Sequence, residues 1–475
     1  MARKEKKPLP AVSGVQIESI AAEGQSIAHL DGEVLFVPYG APGDVCTVQI
    51  VRRKRHFSEG RILSVDIPSP QRIEPVCPHF GTCGGCKWQH IPYSLQLQAK
   101  QQQVTDALTR IGGVSVDEQL PIIGADETYQ YRNKVEFTFS NQRWVTFEEM
   151  EQHPDASPQS GLGFHIPGRF DKVLDIRECH LITETTNRIR NAVRELTLPH
   201  PEQYPYFNLR AQDGMMRTMM LRCNQAGDIM LLLAFAEDNQ AAREQLLSAL
   251  AKRFPEIKSL LWLVNTKAND TFNDLPVYCF SGADHINEQL GDLSFKIGAK
   301  SFFQTNTRQT LKLYNVVKQF AAPQKDDIVY DLYSGTGTIT NWVARECRKA
   351  IGIEYVPEAV EDAWENSRIN GITNTLFFAG DMKDLLTPEL FAEHGKPDVI
   401  IVDPPRAGMH PSVVETIIAA HPAKLVYVSC NPATQARDAA LLVAGGYRIV
   451  RSQPVDMFPQ THHVENVLLF IPHEP

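Results

Sequence analysis

No apolar run in this 475-residue chain approaches the roughly 20 residues a bilayer-spanning helix needs; the longest, IMLLLAFA at 229–236, has only the length of a core strand or helix. No membrane association is expected. The start, MARKEKKPLP, lacks the apolar h-region of a secretory signal, so a cytoplasmic location is expected. An excess of positive charge is also missing: 47 Lys and Arg against 56 Asp and Glu give a formal net charge of −9, a field that repels polyanions. Only VRRKRHF at 51–57 gathers cations, setting Arg52, Arg53, Lys54 and Arg55 where they can hold phosphates or simply protect a hairpin edge. Internal repeats and low-complexity tracts are absent. The nine cysteines are an odd number in a long chain without a signal, which favours reduced thiols or metal ligands over a disulfide framework. What remains is an ordinary globular composition, 43% hydrophobic and 22% charged. At about 150 residues per domain, two to three domains are expected.

The first 66 residues alternate apolar and polar positions between Gly and Pro punctuation, which predicts a small antiparallel barrel over 1–67. IPSPQRIEP at 67–75 ends it as a linker. From Tyr93 to Ile111 the spacing is helical and unbroken, predicting a long amphipathic helix inside a middle region, 68–290, that also holds strands such as NKVEFTF. After Asp327 the strands DIVYDLY, AIGIEY, DVIIVD and KLVYVS alternate with helical patterns. This is the signature of a doubly wound parallel sheet over 291–475. The expected fold class is α/β, a Rossmann-like domain preceded by an OB-like β-barrel and a central α/β domain.

Chemistry concentrates at the ends of those strands. In DLYSGTGTIT, Gly335 and Gly337 permit positive φ and close backbone approach to a ligand, and no Lys follows to make a triphosphate loop. Glu354 ends the next strand about 20 residues on, where an acid can accept both hydroxyls of a ribose. Asp381 and Asp331 are weaker candidates of the same kind. DPPRAG puts Asp403 at a strand end. The residue after the Pro pair is Arg406, a cation where an aromatic ring would offer a stacking surface. Cys430 follows the strand LVYVS; taken alone it reads as a buried strand thiol.

SCNPAT around Cys430 and HHVENV around Glu465, with DLYSG and DPPRAG, resemble the RNA uracil C5-methyltransferases over about residues 11–470. The segment GVQIESIAAEGQSIAHLDGEVLFVPYGAPGD resembles a TRAM domain, an RNA-binding barrel. The resemblance implies S-adenosylmethionine (SAM) as methyl donor, with Gln304, Tyr333, Glu354 and Asp403 in its site beside Gly335, Gly337 and Asp381, and Asn306 near the substrate. It implies Cys430 as nucleophile and Glu465 as base. C5 of uracil is too weak a nucleophile for a sulfonium until a thiolate adds to C6, and a base must then take the C5 proton. One departure stands out: FPQTHHVE has Gln460 where relatives carry His, which leaves His462 and His463 without a settled role.

Cys77, Cys83 and Cys86 with the distant Cys179 supply four thiols, enough for an iron-sulfur cluster or for zinc, although paired CxxC spacing is missing. Resemblance to the rRNA-directed members implies a [4Fe-4S] cluster. In YRNKVEF, Arg132 and Lys134 beside aromatics resemble a segment lining the substrate cleft. The expected partner is RNA, 23S rRNA in particular, because typical bacterial tRNA-directed members lack both barrel and cluster; no obligate protein partner is implied. The alternatives are a tRNA uridine methylase and a noncatalytic iron-sulfur RNA-binding protein, and intact Cys430 and Glu465 speak against the second.

Overall fold

A computed structural model describes residues 9–152 and 159–473. The outer ends of the first and third expected domains, 1–8 and 474–475, lie outside the described residues. No helix among them is long and apolar enough to cross a membrane.

Residues Ala11–Ile67 form one six-stranded sheet. Its inward positions alternate along each strand: Leu35 and Val37 from one, Cys46, Val48 and Ile50 from the next, all closed to solvent. Gly60 is needed there, since a Cβ would come within 2.4 Å of Val48 Cγ1. The sheet is not wholly antiparallel as the alternation suggested: Glu33–Pro38 runs parallel to Phe57–Ile67. The Pro-rich linker is pinned, because buried Asp44 accepts from Arg72 Nη2 at 2.5 Å, from Ser69 N at 2.8 Å and from Ala41 N at 2.6 Å.

The middle region holds a seven-stranded sheet whose central strands, Met216–Cys223 and Ile229–Phe235, are buried along their whole length. Both faces are covered, which explains a continuous apolar run where an exposed sheet would alternate. One face carries Leu221, Leu231 and Leu233 against the helices Glu184–Thr197 and Gln240–Arg253. The other carries Met220, Met230 and Leu232 into a core shared with Phe295, Leu313 and Val329 of the third region. A single hydrophobic core therefore crosses residue 290.

The C-terminal sheet has eight strands. Their spatial order is Thr375–Ala379, Lys349–Glu354, Ile328–Leu332, Val399–Val402, Lys424–Ser429, Glu465–Pro472, Tyr447–Val455 and Val116–Gln119. The first five are mutually parallel, and Glu465–Pro472 is antiparallel to both of its neighbours. The eighth strand comes from the region read as central: Val116 pairs with Ile449. The preceding helix, Tyr93–Asp106, continues into a π-helical turn at Ala107–Ile111 and packs on the same unit. Its inward stripe is Gln96, Lys100 and Val104, more polar than an amphipathic core helix predicts.

Candidate active site

The carboxyl ends of the parallel strands converge, which is where ligands bind in open α/β sheets. After Ile328–Leu332 the chain turns through Tyr333 (φ 67°), Gly335 (φ 54°) and Gly337 (φ 73°) into the helix Thr338–Ala344. The two glycines differ in purpose. A Cβ on Gly337 would lie 2.8 Å from Ala363 Cβ, so it serves helix packing, whereas one on Gly335 would meet nothing within 4 Å and the turn is open there. Glu354 Oε2 accepts from Gly335 N at 3.0 Å and Oε1 accepts from Val356 N at 2.9 Å, so this carboxylate also braces the turn.

Asp331 and Asp403 are brought close to this turn. Burial, with the charges of Asp403 and Glu354, pushes the Asp331 carboxyl up to about 7. Thr340 Oγ1 donates to its Oδ2 at 2.6 Å, and its Oδ1 has no partner. Gln304 is buried, its carbonyl accepting from Asn133 Nδ2 at 2.9 Å. Asp381 is taken up by capping: it accepts from Lys383 N and pairs with Lys383 Nζ at 3.1 Å on exposed surface. Asn306 caps the helix Thr307–Ala321 and donates to Met457 O at 3.0 Å, a structural task.

Strand pairing brings Cys430 and Glu465 to the same end of the sheet. The antiparallel pairing ends at Ser429 with Asn466, one residue short of Cys430 on one strand and of Glu465 on the other, and the two side chains are close enough for the Glu465 charge to act on the thiol. Glu465 is 3% exposed, not the solvated acid its position at a strand start allowed. Burial first, then the Asp403 charge, holds its carboxyl well above the usual range, with Arg406 opposing. Burial and the charges of Glu465 and Asp403 push the Cys430 thiol up to about 11, while Arg406, which hydrogen-bonds it, pulls the other way. Arg406 was legible only as a missing aromatic. Its carbonyl accepts from Asn431 Nδ2 at 3.0 Å and Thr434 Oγ1 at 3.1 Å, tying DPPRAG to SCNPAT.

A thiol held that high gives a sign for pH dependence. Below its pKa the thiolate fraction rises tenfold per pH unit, so alkylation of Cys430 by a small thiol reagent should accelerate about tenfold per unit between roughly pH 6.5 and 8.5. A flat profile would show that the thiol is already ionised. His462 and His463, their rings 4.1 Å apart, are lowered to about 4 and 3 chiefly by burial, and both are neutral over that range.

A cavity of about 780 Å³ opens beside this centre, lined by Arg406, His463, Arg132, Lys134 and the exposed ring of Phe302. Cys77, Cys83, Cys86 and Cys179 line the same cavity. Burial raises all four thiols, Cys83 to about 11 and Cys86 to about 12. Among the described residues no group of three or more His, Cys, Asp or Glu is arranged to hold a metal ion. Arg132 Nε donates to Lys134 O at 2.8 Å, and Lys134 pairs with Glu136 at 2.9 Å. Arg52, Arg53, Lys54 and Arg55 are exposed on the barrel and are not brought to this cavity; Arg52 and Lys54 lie 3.8 and 3.7 Å from Glu59.

The open Gly turn, the acid at the next strand end and the strand order define a Rossmann-like SAM-dependent methyltransferase domain. Comparison with known proteins narrows this. Residues 390–472 match the tRNA (uracil-5-)-methyltransferase family, 12–63 the TRAM domain, and 326–414 the RNA cap guanine-N2 methyltransferases. The chain is 58% identical to an RNA methyltransferase of Porphyromonas gingivalis, over 96% of this chain and 99% of that protein. A second, from Bacteroides thetaiotaomicron, is 52% identical over 95% and 99%. The crystal structure of Pyrococcus abyssi tRNA (uracil-54, C5)-methyltransferase with S-adenosyl-L-homocysteine is 27% identical, with a TM-score of 0.73 over 97% of this chain and 100% of that one. The chain belongs to the RNA uracil-5-methyltransferase family. It is a SAM-dependent RNA methyltransferase of the uracil-C5 type.

Proposed function

We propose that the enzyme methylates C5 of a uridine in 23S rRNA through a covalent bond between Cys430 and C6, with Glu465 as the base. The observation that carries this reading is the strand pairing that ends beside Cys430 and buried Glu465 and leaves them within reach of each other's charge. The Cys430 thiolate adds to C6, and the electron pair moves through C5 to O4. The pair returns from O4 through C5 to bond the methyl group, whose C–S bond breaks with its electrons left on sulfur as a neutral thioether that departs. Glu465 removes the C5 proton; that electron pair restores the C5–C6 double bond and expels the thiolate. Arg406 favours the thiolate at the start and again when it leaves. The target base must leave its stack to reach the site, and the cavity walled by Arg132, Lys134 and Phe302 supplies charge and a ring face to receive it.

SAM supplies an electrophilic methyl on a sulfonium. The residues present fit it: open space stands over Gly335, Asp331 Oδ1 lacks a partner, and Glu354 sits where a ribose is held. Gln304, Tyr333 and Asp403 complete the proposed site, with Gly337 shaping the turn and Asp381 at its rim.

The cysteine quartet supports a [4Fe-4S] cluster by donor type and by facing one cavity, with all four residues half-buried, although their thiols are not gathered into a ligand set in this structure. The methylation cycle transfers no net electron, so the cluster is assigned to structure and to the RNA-facing wall. Anaerobically purified protein should contain iron and acid-labile sulfide in equal amounts, near four of each per chain. Zinc without sulfide would overturn the assignment.

The four cysteines support an rRNA target. The second reading, a tRNA uridine, is favoured by the archaeal tRNA-directed neighbour, which matches this chain over 97% of its length, barrel included. Mapping 5-methyluridine in a strain lacking the gene decides: loss from 23S rRNA is expected, and loss from tRNA with intact rRNA would establish the second reading.

A further inference from the structure

The inward stripe of the Tyr93–Asp106 helix is polar where a core helix would carry Leu or Val. Lys100 Nζ lies 2.5 Å from Asp456 Oδ1, and both side chains are 0% exposed. Neither side chain relies on the other alone. Asp456 Oδ1 also accepts from Phe458 N at 3.0 Å, its Oδ2 accepts from Tyr93 Oη at 2.8 Å, and Lys100 donates again to Phe458 O at 3.0 Å. One turn earlier, Gln96 and Gln460 bond reciprocally: Nε2 donates to Gln460 Oε1 at 3.0 Å, and Gln460 N donates to Gln96 Oε1 at 2.9 Å. This clamp closes on Gln460, whose φ is 69°.

Replacing a buried ion pair by apolar residues is often neutral or stabilising, so stability gives little reason for this one. Its geometry gives a better one. All of these bonds fall on residues 456–460, in the connection that leaves the sheet at Val455 and returns at Glu465, two residues that pair with each other. Asn306 and Gln309 hold the same loop from its other side, at Met457 O and Asp456 O. Phe458, Thr461 and His463 of the loop line the cavity.

We infer that Lys100, with Asp456 and Gln96, is a positioning residue for Glu465, fixing the loop that aims the base at the C5 proton. The inference rests on Glu465 being that base. A carboxylate that must reach one carbon-bound proton tolerates little displacement, and a shift of about 1 Å can cost roughly 100-fold.

The test measures formation and breakdown of the protein–RNA adduct in single turnover for Lys100→Met/Asp456→Asn and, separately, Gln96→Leu, which leaves no unpaired charge should the first variant fail to fold. Breakdown should slow about tenfold or more while formation and SAM affinity stay within about threefold. Equal slowing of both steps, or of neither, in a folded variant overturns the positioning role. Glu465→Gln is run in parallel: if it stalls at the adduct while the loop variants do not, the inference alone fails. If it does not stall, the base assignment falls and takes the inference with it.

Discussion

Cys430→Ala should abolish methylation and covalent attachment together, a loss of roughly 10,000-fold or more, because without the thiolate C5 never becomes nucleophilic. Glu465→Gln should behave differently. Attack and methyl transfer need no base, so the variant should make one methylated adduct and then stall, with elimination slowed roughly 100- to 10,000-fold. Rapid-quench denaturing gels would show a protein–RNA species that needs SAM, persists with Glu465→Gln and disappears when Cys430 is also replaced. Turnover of Glu465→Gln at the wild-type rate would remove Glu465 from the base role. Residual activity of Cys430→Ala would remove the covalent mechanism.

The second large effect is expected at the methyl-donor site. Glu354 accepts two backbone N–H groups that shape the Gly335 turn, and it occupies the strand end where a ribose is held. Hydrogen bonds to a charged group contribute about 1.5–3 kcal/mol each, so Glu354→Ala should weaken SAM binding roughly 10- to 150-fold by calorimetry. RNA affinity should hold within about twofold, since the cavity walls are untouched. Unchanged SAM affinity would contradict this placement.

The proposed pair could be picked out because its signals are local: SCNPAT delivers a thiol at a strand end and HHVENV starts the neighbouring strand. The Gly turn and the alternation after Asp327 likewise announced the parallel sheet. The sequence could not show that Val116–Gln119 joins that sheet, because a four-residue edge strand has no pattern of its own and its partner lies more than 300 residues away. Lys100 was illegible for the same reason. It reads as a solvated helix face until Asp456, 356 positions on, is placed against it. Arg406 was noticed for the aromatic it replaces, and only the fold shows its side chain beside Cys430. The parallel pairing of Glu33–Pro38 with Phe57–Ile67 was missed because alternation fixes which side chains face inward but not strand direction.

The most direct measurement uses target RNA carrying 5-fluorouridine at the modified position. Fluorine at C5 leaves no proton for Glu465 to remove, so the wild-type enzyme should add, methylate and stop. After protease and nuclease digestion, mass spectrometry should find a methylated fluorouridine nucleotide on the peptide containing Cys430, formed only with SAM and absent from Cys430→Ala. Attachment at any other residue, or release of methylated product without attachment, would contradict the account.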